Sequence, residues 1–197
     1  MGKLAAWLGK LDGRKVRDPG TSEDLDLVRG TLAGRPQDFA KLVEKHQRGL
    51  QRFVELRIGD RAAADEIVQM AFVQAYTRLA DFRAEATFKT WVYGVALNLC
   101  RDRARAERRR ATTTVEEAID ATATQAPRLE DVVLGATVER RVSALPERQR
   151  SVLALRIWSD LPFEEIGSLL GISQNSAKVT YHHAIRRLRQ WLVEGTR

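Results

Sequence analysis

The sequence predicts an all-α protein: two small helical domains joined by a flexible linker, the C-terminal one a helix-turn-helix. Three observations carry this. Apolar residues recur at three- and four-residue spacings through residues 25–110 and again from about 132 to 193, the stripe of amphipathic helices. Strand-like alternation is almost absent, and glycines and prolines are few, at 13 and 5. Between the periodic stretches lies ATTTVEEAIDATATQAPRLED, rich in Ala and Thr, acidic and without aromatics. Such a composition buries too little apolar surface to order itself.

Residues 1–22 form an N-terminal extension in which KLAAWLGKL is too short for a signal-peptide core and has no small-residue cleavage site after it. It reads as a frayed tail. Periodicity places four helices at about residues 23–33, 36–58, 61–79 and 87–110, which make a first domain of residues 23–110. The acidic linker covers 111–135, and the second domain is 136–197. That domain ends in GSLLGISQNSAKV, where one helical pattern stops and another starts within three residues. Phe163, Ile166, Leu169 and Leu170 form the first stripe, with Pro162 suited to its first turn and Asp160 to its cap. Gly171 can adopt the positive φ that ends a helix, Ile172 plugs the gap, and Ser173 caps the next helix, about residues 174–193. Ala177, Tyr181, Ala184 (or Ile185), Leu188, Trp191 and Leu192 fall on the inner side of that helix.

Charge is distributed unevenly. The chain of 197 residues carries +7 with a pI near 10, which favours polyanionic partners. Residues 99–110 hold +4 and 140–197 hold +5, while 111–139 hold −5. No segment reaches the length of a membrane span. The single cysteine, Cys100, excludes an internal disulfide, fits a reducing cytoplasm and is expected to be buried without a redox role.

The chemistry-bearing patterns point away from catalysis. His46, His182 and His183 join no Cys or acidic cluster at metal-ligand spacing and read as surface or groove-facing groups. Phosphate-cradling and nucleophile-elbow motifs are absent, so neither a cofactor nor a small-molecule substrate is expected. Three surfaces stand out instead. In DEIVQMAFVQAYTRL the broad apolar face of Ile67, Val68, Ala71, Phe72, Ala75, Tyr76 and Leu79 leaves Asp65, Glu66, Gln69, Met70 and Gln74 outside. Carboxyl and amide groups around a methionine suit docking against a basic partner helix. Next, a loop with Phe82, Arg83, Glu85 and Phe88 precedes a helix whose Trp91, Val95, Leu99 and Cys100 are spaced for burial. The far half of that helix carries Asn98, Asp102, Glu107 and six arginines, among them Arg101 and Arg105. Cations that track phosphates beside aromatics that stack bases make a single-strand platform. Last, the final helix turns Asn175, Ser176, Lys178, Thr180, His183, Arg186, Arg187 and Arg189 outward, which suits a helix laid in a DNA major groove. A free-standing helix-turn-helix regulator that binds duplex by itself is a second reading of the same surface.

With these residues in view, the chain resembles the sigma-70 family, and within it the two-domain extracytoplasmic function (ECF) sigma factors. ADEIVQMAF looks like the family's core-polymerase-binding helix. FKTWVYGVALNLCRDRAR is similar to its promoter-melting and minus-ten-reading segment, with Trp91, Ala96, Asn98, Asp102 and Arg105 in place. LPERQRSVLALRIWSDLPFEEIGSLLGIS matches the opening of the minus-thirty-five-reading domain through Leu145, Pro146, Arg148, Gln149, Arg150, Leu155, Glu165 and Ile166. The resemblance implies a bacterial, cytoplasmic initiation factor without enzymatic activity. Its partners would be core RNA polymerase (the beta-prime and beta subunits), duplex and single-stranded promoter DNA, and an anti-sigma factor, often membrane-bound. It also implies that Gln174–His183 meet the upstream element. Lys178 and His182 keep family residue types, whereas Val179 and Thr180 replace a common Ser-Arg pair and Met70 replaces an acidic residue.

Overall fold

The computed structural model describes residues 20–113 and 140–194, and every regular element among them is helical. Residues 21–113 belong to one unit and 140–194 to the other. The expectations for residues 1–19 and for most of the linker lie outside the described residues.

In the first unit α1 (Gly20–Leu32), α2 (Pro36–Ile58), α3 (Arg61–Thr77) and α4 (Phe88–Thr113) are joined by short turns whose chemistry is local. Gly59 ends α2 at φ 78° and sends its N–H to Glu55 O at 2.8 Å, a left-handed cap that costs glycine little. Asp60 then caps α3, accepting from the N–H groups of Ala62 and Ala63, worth about 1 kcal/mol. The expected third helix is cut short at Thr77, and Leu79 sits in a following 3₁₀ turn, Leu79–Asp81. Thr87 caps α4 through its Oγ1, which accepts from Thr90 N at 3.0 Å. That helix runs to Thr113, three residues into the stretch read as linker.

α2, α3 and α4 pack on one another around Leu50, Phe53, Val54, Ile67, Ala71, Phe72, Val92, Tyr93 and Leu97. Each large side chain buried this way contributes about 1.5–3 kcal/mol. α1 is tied to α2 by polar groups. The His46 ring lies 2.8 Å from the carboxylate of Asp24, and both are buried, so the surface position expected for His46 is wrong. Its place on the inner face of α2, against the Phe88 ring at 5.8 Å, put it in the core. Burial pushes the Asp24 carboxyl up, but hydrogen bonds from His46 and Lys45 outweigh it and hold the group below the usual range. Lys45, 2.6 Å from Glu23 and 2.7 Å from Asp24, is raised by these bonds against the opposing effect of its own burial.

The second unit contains α5 (Glu147–Ile157), α6 (Phe163–Leu170) and α7 (Gln174–Glu194), preceded by helical residues 140–143. Its core is Val142, Val152, Leu153, Leu155, Leu161 and Ile166 with Ala177, Tyr181, Ala184, Ile185 and Leu188 of α7. Arg150 closes the entry to α5 by donating to the carbonyls of Ser143 and Leu145 at 2.6 and 3.4 Å. Pro162 is the N-cap of α6, one place before the first turn. Asp160 is not its cap: it occupies the turn after α5 with φ 50°, a conformation that Asp tolerates better than most residues. Between α6 and α7, Gly171 takes φ 66° and Ile172 N–H returns to Gly167 O at 2.9 Å. Ser173 Oγ accepts from Ser176 N at 3.1 Å, the expected cap. A Cβ on Gly167 would lie 2.6 Å from Ile172 O, so only glycine lets the turn pass this close.

Candidate nucleic-acid interface

α3 presents the first surface. Its buried stripe of Ala64, Ile67, Val68, Ala71, Phe72 and Ala75 turns Asp65, Glu66, Gln69 and Met70 to solvent and leaves Gln74 half-buried. Gln51 of α2 donates to Asp65 Oδ1 at 2.5 Å, which orients that carboxylate at the rim of a shallow cleft between α2 and α3. Tyr76 departs from the sequence reading: 49% exposed, it meets Phe39 edge-on at 5.0 Å rather than entering the core. Val73, 63% exposed, joins the same edge and is missing from the residues expected there. Its three-residue spacing from Met70 and Tyr76 was the available signal, and the edge is more apolar than its carboxyl and amide groups suggest.

The second surface lies at the junction of the 82–87 loop with α4. Phe82 is half-buried and Arg83 exposed, with the Phe82 ring 5.2 Å from Trp91 and 6.1 Å from Phe88. Phe88, read as a nucleic-acid contact, is 1% exposed and touches the rings of Phe39, His46, Phe82 and Trp91. It is a core residue that supports Phe82 from beneath. The half-buried Trp91, expected in the core, is the more accessible ring. Helical spacing could not separate two aromatics three residues apart that share one face.

Along α4, Asn98, Arg101, Asp102 and Arg105 are all exposed. Arg101 donates to Asn98 Oδ1 at 3.4 Å, Arg105 pairs with Asp102, and Arg103 pairs with Glu107 at 2.8 Å. Such exposed pairs hold side chains loosely, about 0–1 kcal/mol each, and yield readily to a phosphate. Cys100, beneath this face, is buried as expected, and burial pushes its thiol up to about 11 despite the Arg57 charge nearby.

α7 presents the third surface. Gln174, Asn175, Ser176, Lys178, Val179, His182, His183, Arg186 and Arg187 are exposed and Thr180 is half-buried. Both alternatives at the inner side, Ala184 and Ile185, are buried, and Trp191 is half-buried. The Arg187 guanidinium lies 5.3 Å from the Trp191 ring centre and that of Arg141 lies 5.8 Å from it. Polar groups at the start of the helix and cations along it can meet base edges and phosphates respectively.

Comparison with known proteins finds two family matches in the chain. Residues 42–110 match the family Sigma-70 region 2, and residues 136–188 match Sigma-70, region 4. The RNA polymerase sigma-H factor of Pseudomonas aeruginosa is 29% identical over 160 residues, covering 75% of this chain and 82% of the relative. The ECF RNA polymerase sigma factor SigW of Bacillus subtilis is 28% identical over 176 residues, covering 84% of this chain and 94% of the relative. In fold, the chain is similar to the sigma factor RpoE of Bartonella quintana, solved with the anti-sigma factor NepR. The TM-score is 0.66 at 18% identity, over 79% of this chain and 97% of that one. CnrH, solved with the cytosolic domain of CnrY, gives a TM-score of 0.64 at 22% identity, over 87% and 97% of the two chains. Among the described residues no helix is long and apolar enough to cross a membrane.

Proposed function

The chain belongs to the sigma-70 family, as an ECF sigma factor that directs RNA polymerase to promoters, and from that premise we propose how its surfaces divide the work. Residues 23–110 and 136–197 act as two working domains on either side of a tether drawn from 111–135, into which α4 extends by three residues. The α3 edge of Asp65, Glu66, Gln69, Met70 and Gln74 docks on core polymerase. Phe82, Arg83 and the exposed Asn98, Arg101, Asp102 and Arg105 engage the separated strand of the downstream element. The exposed face of α7 reads the upstream element as duplex in the major groove.

The observation that carries this is that one unit sets an exposed polar and apolar edge on α3 beside a ring-and-arginine surface, while the other holds a capped helix-turn-helix with Lys178 exposed on its second helix. A regulator acting alone needs only the latter. The chain works by regulating an enzyme and is itself no catalyst. Met70, Val73 and Tyr76 leave apolar surface exposed, 43–63% per residue, and an anti-sigma factor is proposed to cover it when polymerase is absent. Action in the cytoplasm follows, with an inner-membrane anti-sigma factor able to hold the chain there. Run-off transcription with purified core polymerase, with and without this chain, tests the reading. Promoter-specific transcripts that depend on the chain support it, and tight sequence-specific duplex binding without polymerase counts against it.

A further inference from the structure

Beyond its outward face, α7 forms an open hollow with α5, lined by Gln149, His183, Arg186, Arg187, Gln190 and Trp191. Among the described residues the lining carries no carboxylate. Arg187 and Arg141 both lie within cation–π range of Trp191, which is half-buried and fixed by its helix. Two like charges drawn to one ring, with no acid among the described residues of the lining, repel each other, and a bound anion would relieve that repulsion. The ring also removes much of the rotamer freedom that an exposed arginine loses on binding.

We propose that Trp191 is a positioning residue: it holds Arg141 and Arg187 ready for neighbouring phosphates of one strand of the upstream duplex. This rests on the reading of α7 as the duplex-reading helix. The ring touches no DNA itself. It acts by presenting the two guanidinium groups in the orientation in which they bind, so it contributes affinity without sequence preference.

The test uses the full chain with core polymerase on promoter DNA, and reads affinity against salt together with base preference in a library randomised upstream. Trp191→Leu is expected to weaken binding about 2- to 5-fold, the value of an exposed cation–π contact. It should also lower the salt slope by up to about one unit per arginine released. Arg141→Ala and Arg187→Ala should each give a similar loss, the double variant Trp191→Leu with Arg187→Ala should lose less than the sum of the two single losses because only Arg141 is left for the ring to hold, and Trp191→Phe should restore most of the slope. Base preference should not move. An unchanged salt slope in Trp191→Leu, or losses that add fully in the double variant, overturns the proposal. Circular dichroism identifies an unfolded Trp191→Leu, and Trp191→Phe and Arg187→Ala then decide the matter. Lys178→Ala keeps this separate from the reading beneath it. If Lys178→Ala shifts base preference while Trp191→Leu leaves the slope alone, only the positioning role fails. If no α7 variant affects the upstream element, the duplex reading itself fails.

Discussion

Gly167 shows how one residue sets a functional turn. Its missing Cβ is the space through which Ile172 O passes, 2.6 Å from where that atom would stand. Gly167→Ala is expected to cost about 1–3 kcal/mol, the usual penalty for overpacking, despite alanine's better helix propensity. Thermal melts of the variant check this. Phe88 and Phe82 make the opposite pair. Phe88→Ala removes a ring that is 1% exposed and should destabilise the first unit by about 3–5 kcal/mol. Phe82→Ala loses a half-buried ring, about 1–1.5 kcal/mol, yet should impair promoter opening more than Phe88→Leu does. Permanganate footprinting beside denaturant melts separates the two effects, and equal loss of opening in both variants would place Phe82 in a purely structural role. The sequence could not distinguish these rings. Periodicity identifies the side of a helix, whereas the depth of Phe88 depends on Phe39 and His46, which arrive from another helix.

At the level of the helix, what was legible and what was not divide along the same line. Caps and stops follow from neighbours a few residues apart, so Pro36 and Ile58 bound α2 as expected and Ser173 caps α7. Asp160 misled because its residue type suits both a cap and a left-handed turn, and only the packing of α5 against α6 decides between them. His46 misled because its partner, Asp24, is 22 residues away and belongs to another helix. That pair has a pH signature. A carboxyl held below its ordinary value of about 3.9 stabilises the fold fully above that value, and the contribution is lost as pH falls through the folded value. Asp24→Asn should therefore cost about 1–3 kcal/mol near neutrality and flatten the acid limb of stability below about pH 4. Melting temperature against pH for both proteins measures it, and parallel curves would mean the pair contributes nothing. On α3, reversing Asp65 and Glu66 should weaken capture of core polymerase with helicity unchanged, since both are exposed. Pull-down beside circular dichroism gives the answer, and undiminished capture would move docking to another helix.

For the molecule as a whole, two cores within separate units imply two unfolding events. Calorimetry should resolve them, with Gly167→Ala shifting one transition and Asp24→Asn the other; a joint shift would show that the units unfold as one. The division also bears on DNA binding. Opening base pairs costs a few kcal/mol each, so a ring-and-arginine surface that takes separated strands, as proposed for α4, gains little from closed duplex. The chain alone should bind promoter duplex far more weakly than the roughly 10⁻⁸ M of a typical specific regulator, and become selective only with core polymerase. A mobility-shift titration at physiological salt tests this directly, and nanomolar selective binding by the isolated chain would contradict it.

Cys100 provides the chain with a built-in clock. It is the sole thiol, 2% exposed, and burial pushes it up to about 11, so far less of it is thiolate at pH 7.5 than in a free cysteine. Alkylating reagents should therefore pass over the folded protein, so a cysteine introduced at Val179 or Val73 would accept a single dye without the native residue being removed. The same silence makes slow labelling informative. Once the reagent is in excess, the ratio of the rates in folded and denatured protein reports how often the first unit opens. A chain that docks on polymerase through that unit should be labelled more slowly still, in proportion to the fraction bound.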